Sequence, residues 1–236
     1  MALLKITSIV PAKFQKGYFH LAIEGQKPIK LQQQLLAEHP ELKENASLGE
    51  NQLAEILEQA ERQRALEYGY ALLSYSPRSQ KALTEKLQRK SFSSDAVHWA
   101  IAHLKQKNLL DDGALARAVV ENKLKSSRPL GERRLAQDLQ RQGVDSQTVQ
   151  SALAQVKAEN DGAIPDEDER AWIALLQRSR QIKNSDARAL QRRLFDYLTR
   201  RGFSFDSANK ALSRFKREQK IPDDEFGQAG EFGDTP

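Results

Sequence analysis

The sequence predicts a mainly α protein: a tandem repeat of three three-helix units in an elongated array, preceded by a small N-terminal β-hairpin or sheet. Three observations predict it. One apolar skeleton occurs three times, at offsets of 52 and 59 residues. Residues 3–31 are rich in β-formers and punctuated by Gly17 and Gly25. Between Gly49 and Phe215 no segment shows the two-residue alternation of a strand.

In the N-terminal part, Ile6, Ile9 and Val10 precede Pro11, and Tyr18-Phe19-His20-Leu21-Ala22-Ile23 forms a second β-prone run. Turns are expected at Lys16-Gly17 and Gly25-Gln26, giving two or three strands. So small a sheet is marginal alone and needs a packing partner. Residues 33–37 read as a helical turn. From about Gly49, Leu53, Ile56, Leu57, Ala60, Arg64, Ala65 and Tyr68 follow helical spacing.

The repeat aligns Leu87-Gln-Arg-Lys-Ser-Phe-Ser with Leu139-Gln-Arg-Gln-Gly-Val-Asp and Leu198-Thr-Arg-Arg-Gly-Phe-Ser. At the same offsets Leu83, Leu135 and Leu194 coincide, as do Val97, Val149 and Ala208. Ile101, Leu153 and Leu212 coincide next, then Leu104, Val156 and Phe215. Leu83 and Leu87 stand four apart and share one helix face. Gly143 and Gly202 fit a left-handed C-terminal ending. Ser91 holds that place in the first copy and predicts a different ending there. Ser93, Asp145 and Ser204 then suit the N-cap of the next helix, with Phe92, Val144 and Phe203 before them as staples. A first helix precedes each pair. It contains Ala65, Tyr68, Leu72 and Leu73; then Leu115, Ala118, Val119 and Leu124 behind Asp111-Asp112; then Trp172, Leu175 and Leu176 behind the acidic run Asp166-Glu167-Asp168-Glu169.

The expected organisation is therefore residues 1–61 for the strands and the start of a long helix, then repeats over 62–110, 111–160 and 166–220, and an acidic, disordered tail over 221–236. Ser126–Gly131 and Asn160–Pro165 are the breaks. With no cysteine in 236 residues, disulfides and thiolate metal sites are excluded, and a cytoplasmic setting fits. No apolar run approaches the ~20 residues of a membrane span. The net charge of +5 is unevenly spread: residues 170–220 hold 14 Lys and Arg against 4 acids. That asymmetry suggests an anionic partner, against the plainer reading of a solvated helix face.

The particular residues of the repeat resemble the RecX family of recombination regulators. Tyr70-Ala71-Leu72-Leu73, Pro77-Arg78-Ser79, Leu83 and Leu87 resemble its first unit. Leu109-Leu110-Asp111-Asp112 with Leu115-Ala116 resembles its signature between the first two units. Arg141-Gln142-Gly143-Val144 and Arg200-Arg201-Gly202-Phe203 resemble its later glycine-containing signatures. The likeness spans 62–217 in order and spacing. Ser91 departs from the usual glycine, and Leu115 stands where an aromatic is common. The resemblance implies binding in the groove of the RecA recombinase filament on DNA. It further implies modulation, commonly inhibition, of ATP hydrolysis, strand exchange and coprotease activity, within recombinational DNA repair and the SOS response. It implies no catalytic residue; no cofactor and no membrane partner are expected, and a monomer is expected. Single- or double-stranded DNA is a further candidate partner. The alternative function is a helical array that binds nucleic acid directly.

The binding residues expected for RecA or DNA are the basic ones of the third repeat. Arg188, Arg192 and Arg193 lie on its second helix, and Arg200 and Arg201 at that helix's end. Lys210, Arg214 and Arg217 lie on one face of its third helix. Arginine's planar fork suits carboxylate and phosphate alike. Arg89-Lys90, Arg133-Arg134 and Arg141 are weaker equivalents. Trp99 and Trp172 read as packing residues, and Asp111-Asp112 as a helix cap. His98 and His103 are five apart and do not share a metal-binding face, while His20 and His39 are isolated. No metal site, phosphate loop or dinucleotide fingerprint is expected.

Overall fold

The computed structural model describes residues 3–160, 162–182 and 186–221. The expectation for the acidic tail falls, from residue 222 on, outside the described residues. The chain forms two compact units. One holds the residues up to Pro77 together with Ala82–Leu110, the other Arg78–Lys81 together with the chain from Asp111 onward.

In the first unit, β1 (Leu3–Pro11), β2 (Tyr18–Ile23), β3 (Ile29–Gln32) and β4 (Ser47–Gly49) form an antiparallel sheet in the order β3-β2-β1-β4. The sheet has four strands where sequence predicts two or three. The extra strand, Ser47–Gly49, is three residues long and too short to display a period. A register shift between Ile6 and Ser8 lets Ile6 and Ile9 pair with Ile23 and Leu21, so the two isoleucines share a face despite their odd spacing. Ile6, Leu21, Ile23 and Leu31 form a core with Leu35 of α1 (Gln33–Glu38) and with Leu53, Ile56 and Ala60 of α2 (Glu50–Tyr75). The small sheet thus gains the backing it needs from the first half of a 26-residue helix.

The second half of α2 belongs to a three-helix repeat with α3 (Gln80–Arg89) and α4 (Ser94–Gln106). Its core joins Ala65 and Leu66 to Leu83, Leu87, Val97, Ile101 and Leu104. Gly69 lets α2 and α4 approach closely, since a Cβ there would stand 2.9 Å from the Leu104 side chain. The second unit holds two more repeats: α5 (Asp112–Leu124), α6 (Glu132–Arg141) and α7 (Ser146–Glu159), then α8 (Glu167–Ser179), α9 (Ala187–Arg200) and α10 (Phe205–Gln219). Each has its own apolar cluster, and in all three repeats the first and third helices pack most extensively. The chain is therefore mainly helical, with three three-helix domains in tandem behind a small sheet.

The repeated sequence positions repeat their structural work. Ser93, Asp145 and Ser204 accept hydrogen bonds from the backbone N–H of Ala96, Thr148 and Ser207 at 3.2, 2.9 and 3.2 Å. Val144 and Phe203, the staple residues, are buried. At the ends of α6 and α9, Gly143 and Gly202 take φ of 91° and 82°. The N–H of Val144 and Phe203 then donates back to Leu139 and Leu198, closing the six-residue loop of a Schellman ending. Ser91 closes its helix differently, as its side chain predicts, since the Leu87 carbonyl accepts from the Lys90 N–H at 3.0 Å. Ser91 itself adopts φ 62°, the same left-handed region.

Candidate partner-binding surface

The position of the third repeat is set by the joint between it and the second, both in the second unit. Gly131, which precedes α6, lies against the end of α9: its N–H donates to the Arg201 carbonyl at 3.0 Å. The next N–H, of Glu132, donates to the Glu167 carboxylate at 3.2 Å, so the first residue of α8 caps α6. Segment Arg78–Lys81 makes the corresponding contacts in the same unit. Ser79 Oγ donates to the Gln142 carbonyl, and the Gln80 N–H donates to Asp112 Oδ1 at 2.8 Å. Ser79 and Gly131 stand at the 52-residue offset, and Gln142 and Arg201 at the 59-residue offset, so the contact itself is repeated.

A buried ion pair reinforces the joint of the second and third repeats. Arg170 is 1% exposed, donates to the Pro165 carbonyl, and lies 3.2 Å from Glu132, which also pairs with Lys157 at 2.7 Å. Nearby, Asp168 accepts from Ser207 Oγ and Lys210 Nζ. Those hydrogen bonds, Ser207 first, hold its carboxyl below the ordinary range. The result is a cleft of about 470 Å³ lined by Glu132, Asp166, Asp168, Arg170, Asp206 and Ser207 among others. Its carboxylates are engaged in capping and pairing: Asp166 caps α8, Glu167 caps α6, and Asp206 pairs with Lys210 at 2.6 Å.

The eight basic residues expected to bind a partner fall into two sets. Arg201 faces the joint, donating to the Pro129 and Arg128 carbonyls at 2.8 and 3.1 Å while its guanidinium lies over Tyr197. Lys210 pairs with Asp206 and Asp168, whose hydrogen bonds, Asp206 first, raise its pKa. Arg214 pairs with Glu169 and Glu218 and stacks over Trp172 at 4.3 Å. These three tie the fold together. Arg188, Arg192, Arg193, Arg200 and Arg217 are exposed, as is Lys210. On α9, at 100° per residue, the four arginines spread over about 140° of the helix. Arg193 and Arg200 lie opposite the buried stripe of Gln191, Leu194, Phe195 and Leu198, Arg192 lies to its side, and Arg188 lies at its edge beside Phe195. Asp196 sits within the arc and Arg200 Nε donates to its carbonyl at 3.0 Å. Among the weaker equivalents, Arg89, Arg134 and Arg141 make local ion pairs, Lys90 lies over Tyr68, and Arg133 is exposed.

Trp172 is buried in the core of the third repeat, and Trp99 is half-buried, stacked on His103. Asp111 caps α5 through the Ala114 N–H. Asp112 instead accepts from the Gln80 N–H, a role its sequence context did not announce. Glu132, Glu167 and Arg170 were likewise not picked out as joint residues. The signal was present at Ser79 and Gly131, which share a repeat position just before a helix.

Comparison with known proteins agrees with this architecture. Family models for the first, second and third three-helix domains of RecX match residues 65–104, 111–153 and 166–212. Regulatory protein RecX of Clostridioides difficile is 25% identical over 73% of this chain and 78% of its own. That of Clostridium beijerinckii is 22% identical over 89% and 95%. That of Lactobacillus delbrueckii subsp. bulgaricus is 30% identical over 66% of this chain and 57% of its own. A crystal structure of regulatory protein RecX shares the fold with a TM-score of 0.65 at 23% identity, covering 90% of this chain and all of that one. RecX from Lactobacillus salivarius gives 0.56 at 18% identity over 66% of this chain and 97% of that one. With all three domains matched in order over more than half of its length, the chain belongs to the RecX family of regulatory proteins.

Proposed function

We propose that this protein binds the RecA recombinase filament in the cytoplasm and lowers its ATPase, strand-exchange and coprotease activities, without chemistry of its own. The observation that carries the reading is the arginine face of α9, exposed on a helix whose other side is locked into the third domain. Arginine's planar fork suits an acidic protein surface or phosphate, and being pre-organised it loses less freedom per bond formed than a lysine would. Family membership supports RecA as the partner, and relatives named regulatory proteins support a role in control. In this reading Arg201 fixes the end of α9 at the joint, while Lys210 and Arg214 join α10 to α8.

The test is RecA ATPase on single-stranded DNA, titrated with the protein. A sub-stoichiometric fall in rate is expected, and an unchanged rate up to molar excess at low salt overturns the proposal. Replacing Arg192, Arg193 and Arg200 together by Glu should raise the concentration needed by at least about tenfold, with helicity by circular dichroism unchanged.

A further inference from the structure

We infer that the tip of the β1–β2 hairpin is a contact for single-stranded nucleic acid, with Phe14 stacking on a base and Lys13 and Lys16 meeting phosphates. Phe14 is 94% exposed, the most exposed of the large apolar side chains described. Its position is built by two successive turns. The Gln15 N–H donates to the Ala12 carbonyl and the Tyr18 N–H to the Gln15 carbonyl, both at 3.3 Å, while the Ala12 N–H closes the loop onto Tyr18 at 2.8 Å. Lys13 and Phe14 occupy the corner of the first turn. Lys16 and Gly17, at φ 79°, occupy the corner of the second. The aromatic ring is therefore held out at the tip between two exposed lysines.

The charge behind the tip points the same way. Residues 3–32, which make β1 to β3, hold Lys5, Lys13, Lys16, Lys27 and Lys30 against Glu24 alone. Residues 33–61, which supply edge strand β4 as well as α1 and the first part of α2, hold Lys43 against seven glutamates. Averaged over 1–61 the region looks weakly acidic; divided by segment, it is basic over β1 to β3 and acidic over the elements that follow. On the face turned away from the core, Val10, His20 and Lys30 stand in register across three strands, with Lys30 Nζ 4.5 Å over the Tyr18 ring. A lone protein hot spot would use the aromatic ring but has no need of the flanking cations. A single strand uses both, because every base has a stacking face and every nucleotide a phosphate. This inference does not rest on the recombinase reading.

The experiment is fluorescence anisotropy of labelled oligothymidylate with the full chain across a salt series. The wild type should bind, and Phe14→Ala should weaken binding roughly tenfold. Lys13→Gln with Lys16→Gln should weaken it too and flatten the log–log salt slope by about 1.4, at about 0.7 per phosphate contact on a single strand. Phe14→Trp should keep the affinity, and its added fluorescence should be quenched by the oligonucleotide. No binding by the wild type, or affinity and slope unchanged in the variants, overturns the inference. So does a tip variant that binds oligonucleotide normally but loses its effect on RecA, since the tip would then touch protein. Tip-dependent binding in a protein with no effect on RecA would sustain this inference and sink the proposed function.

Discussion

Ser91 and the glycines Gly143 and Gly202 occupy one place in three repeats and one region of backbone space, at φ 62°, 91° and 82°. Two of the three are glycine. The dihedral alone cannot be the reason, because serine achieves it. The difference lies in what stands beside them. A Cβ at Gly202 would fall 2.4 Å from the Arg134 backbone nitrogen, and one at Gly143 would fall 2.8 Å from Ser79 Oγ and 2.9 Å from Lys81 Cβ. Ser91 is exposed to solvent. Glycine is thus demanded here first by the close approach of another segment and only second by the left-handed turn.

The sharpest way to break this comparison is at Gly131, whose φ of −74° suits any residue. A Cβ there would lie 2.1 Å from the carbonyl carbon and oxygen of Gly202 and from the Phe203 nitrogen. These are backbone atoms and cannot swing aside. Gly131→Ala should destabilise the second unit by at least about 3 kcal/mol through overpacking alone. Urea unfolding monitored by circular dichroism measures it. Near wild-type stability would mean that the joint opens at little cost, and that the glycine requirement is not a matter of approach.

Gly143→Ala tests the same idea at smaller amplitude. Its clash is with side-chain atoms of Ser79 and Lys81, which can yield in part, but the left-handed strain is added. A loss of about 2 kcal/mol is expected. A loss larger than that of Gly131→Ala would reverse the order and make the dihedral the dominant cause.

These joints also mark the limit of what could be read along the chain. The helices, the caps at Ser93, Asp145 and Ser204, and the apolar skeleton were legible because each depends on residues within one turn or one helical period. The pairing of Arg170 with Glu132, or of the Gln80 N–H with Asp112, joins residues more than thirty positions apart and leaves no period. Counting charge had the same weakness. Of the eight basic residues expected to bind RecA or DNA, Arg201, Lys210 and Arg214 also contact a carbonyl pair, Asp168 and Glu169, which the charge count does not reveal. The arginines of α9 stayed readable because their spacing relative to Leu194 and Leu198 is itself helical.

The smallest effect is the most discriminating. Ser91→Gly removes a Cβ from a left-handed residue that is exposed to solvent, so only the dihedral cost is relieved. A non-glycine residue pays on the order of 1 kcal/mol in that region, while glycine's extra freedom in the unfolded chain returns some of it. The net expectation is a gain of about 0.5–1 kcal/mol, seen as a higher urea midpoint with an unchanged slope. The sign matters more than the size. If glycine stabilises position 91 by this small amount while alanine at 143 costs several times more, then dihedral strain and close approach are separable, and close approach outweighs the strain. If glycine at 91 destabilises the protein, the serine is contributing something beyond its backbone geometry, and the three left-handed positions cannot be compared by dihedral alone.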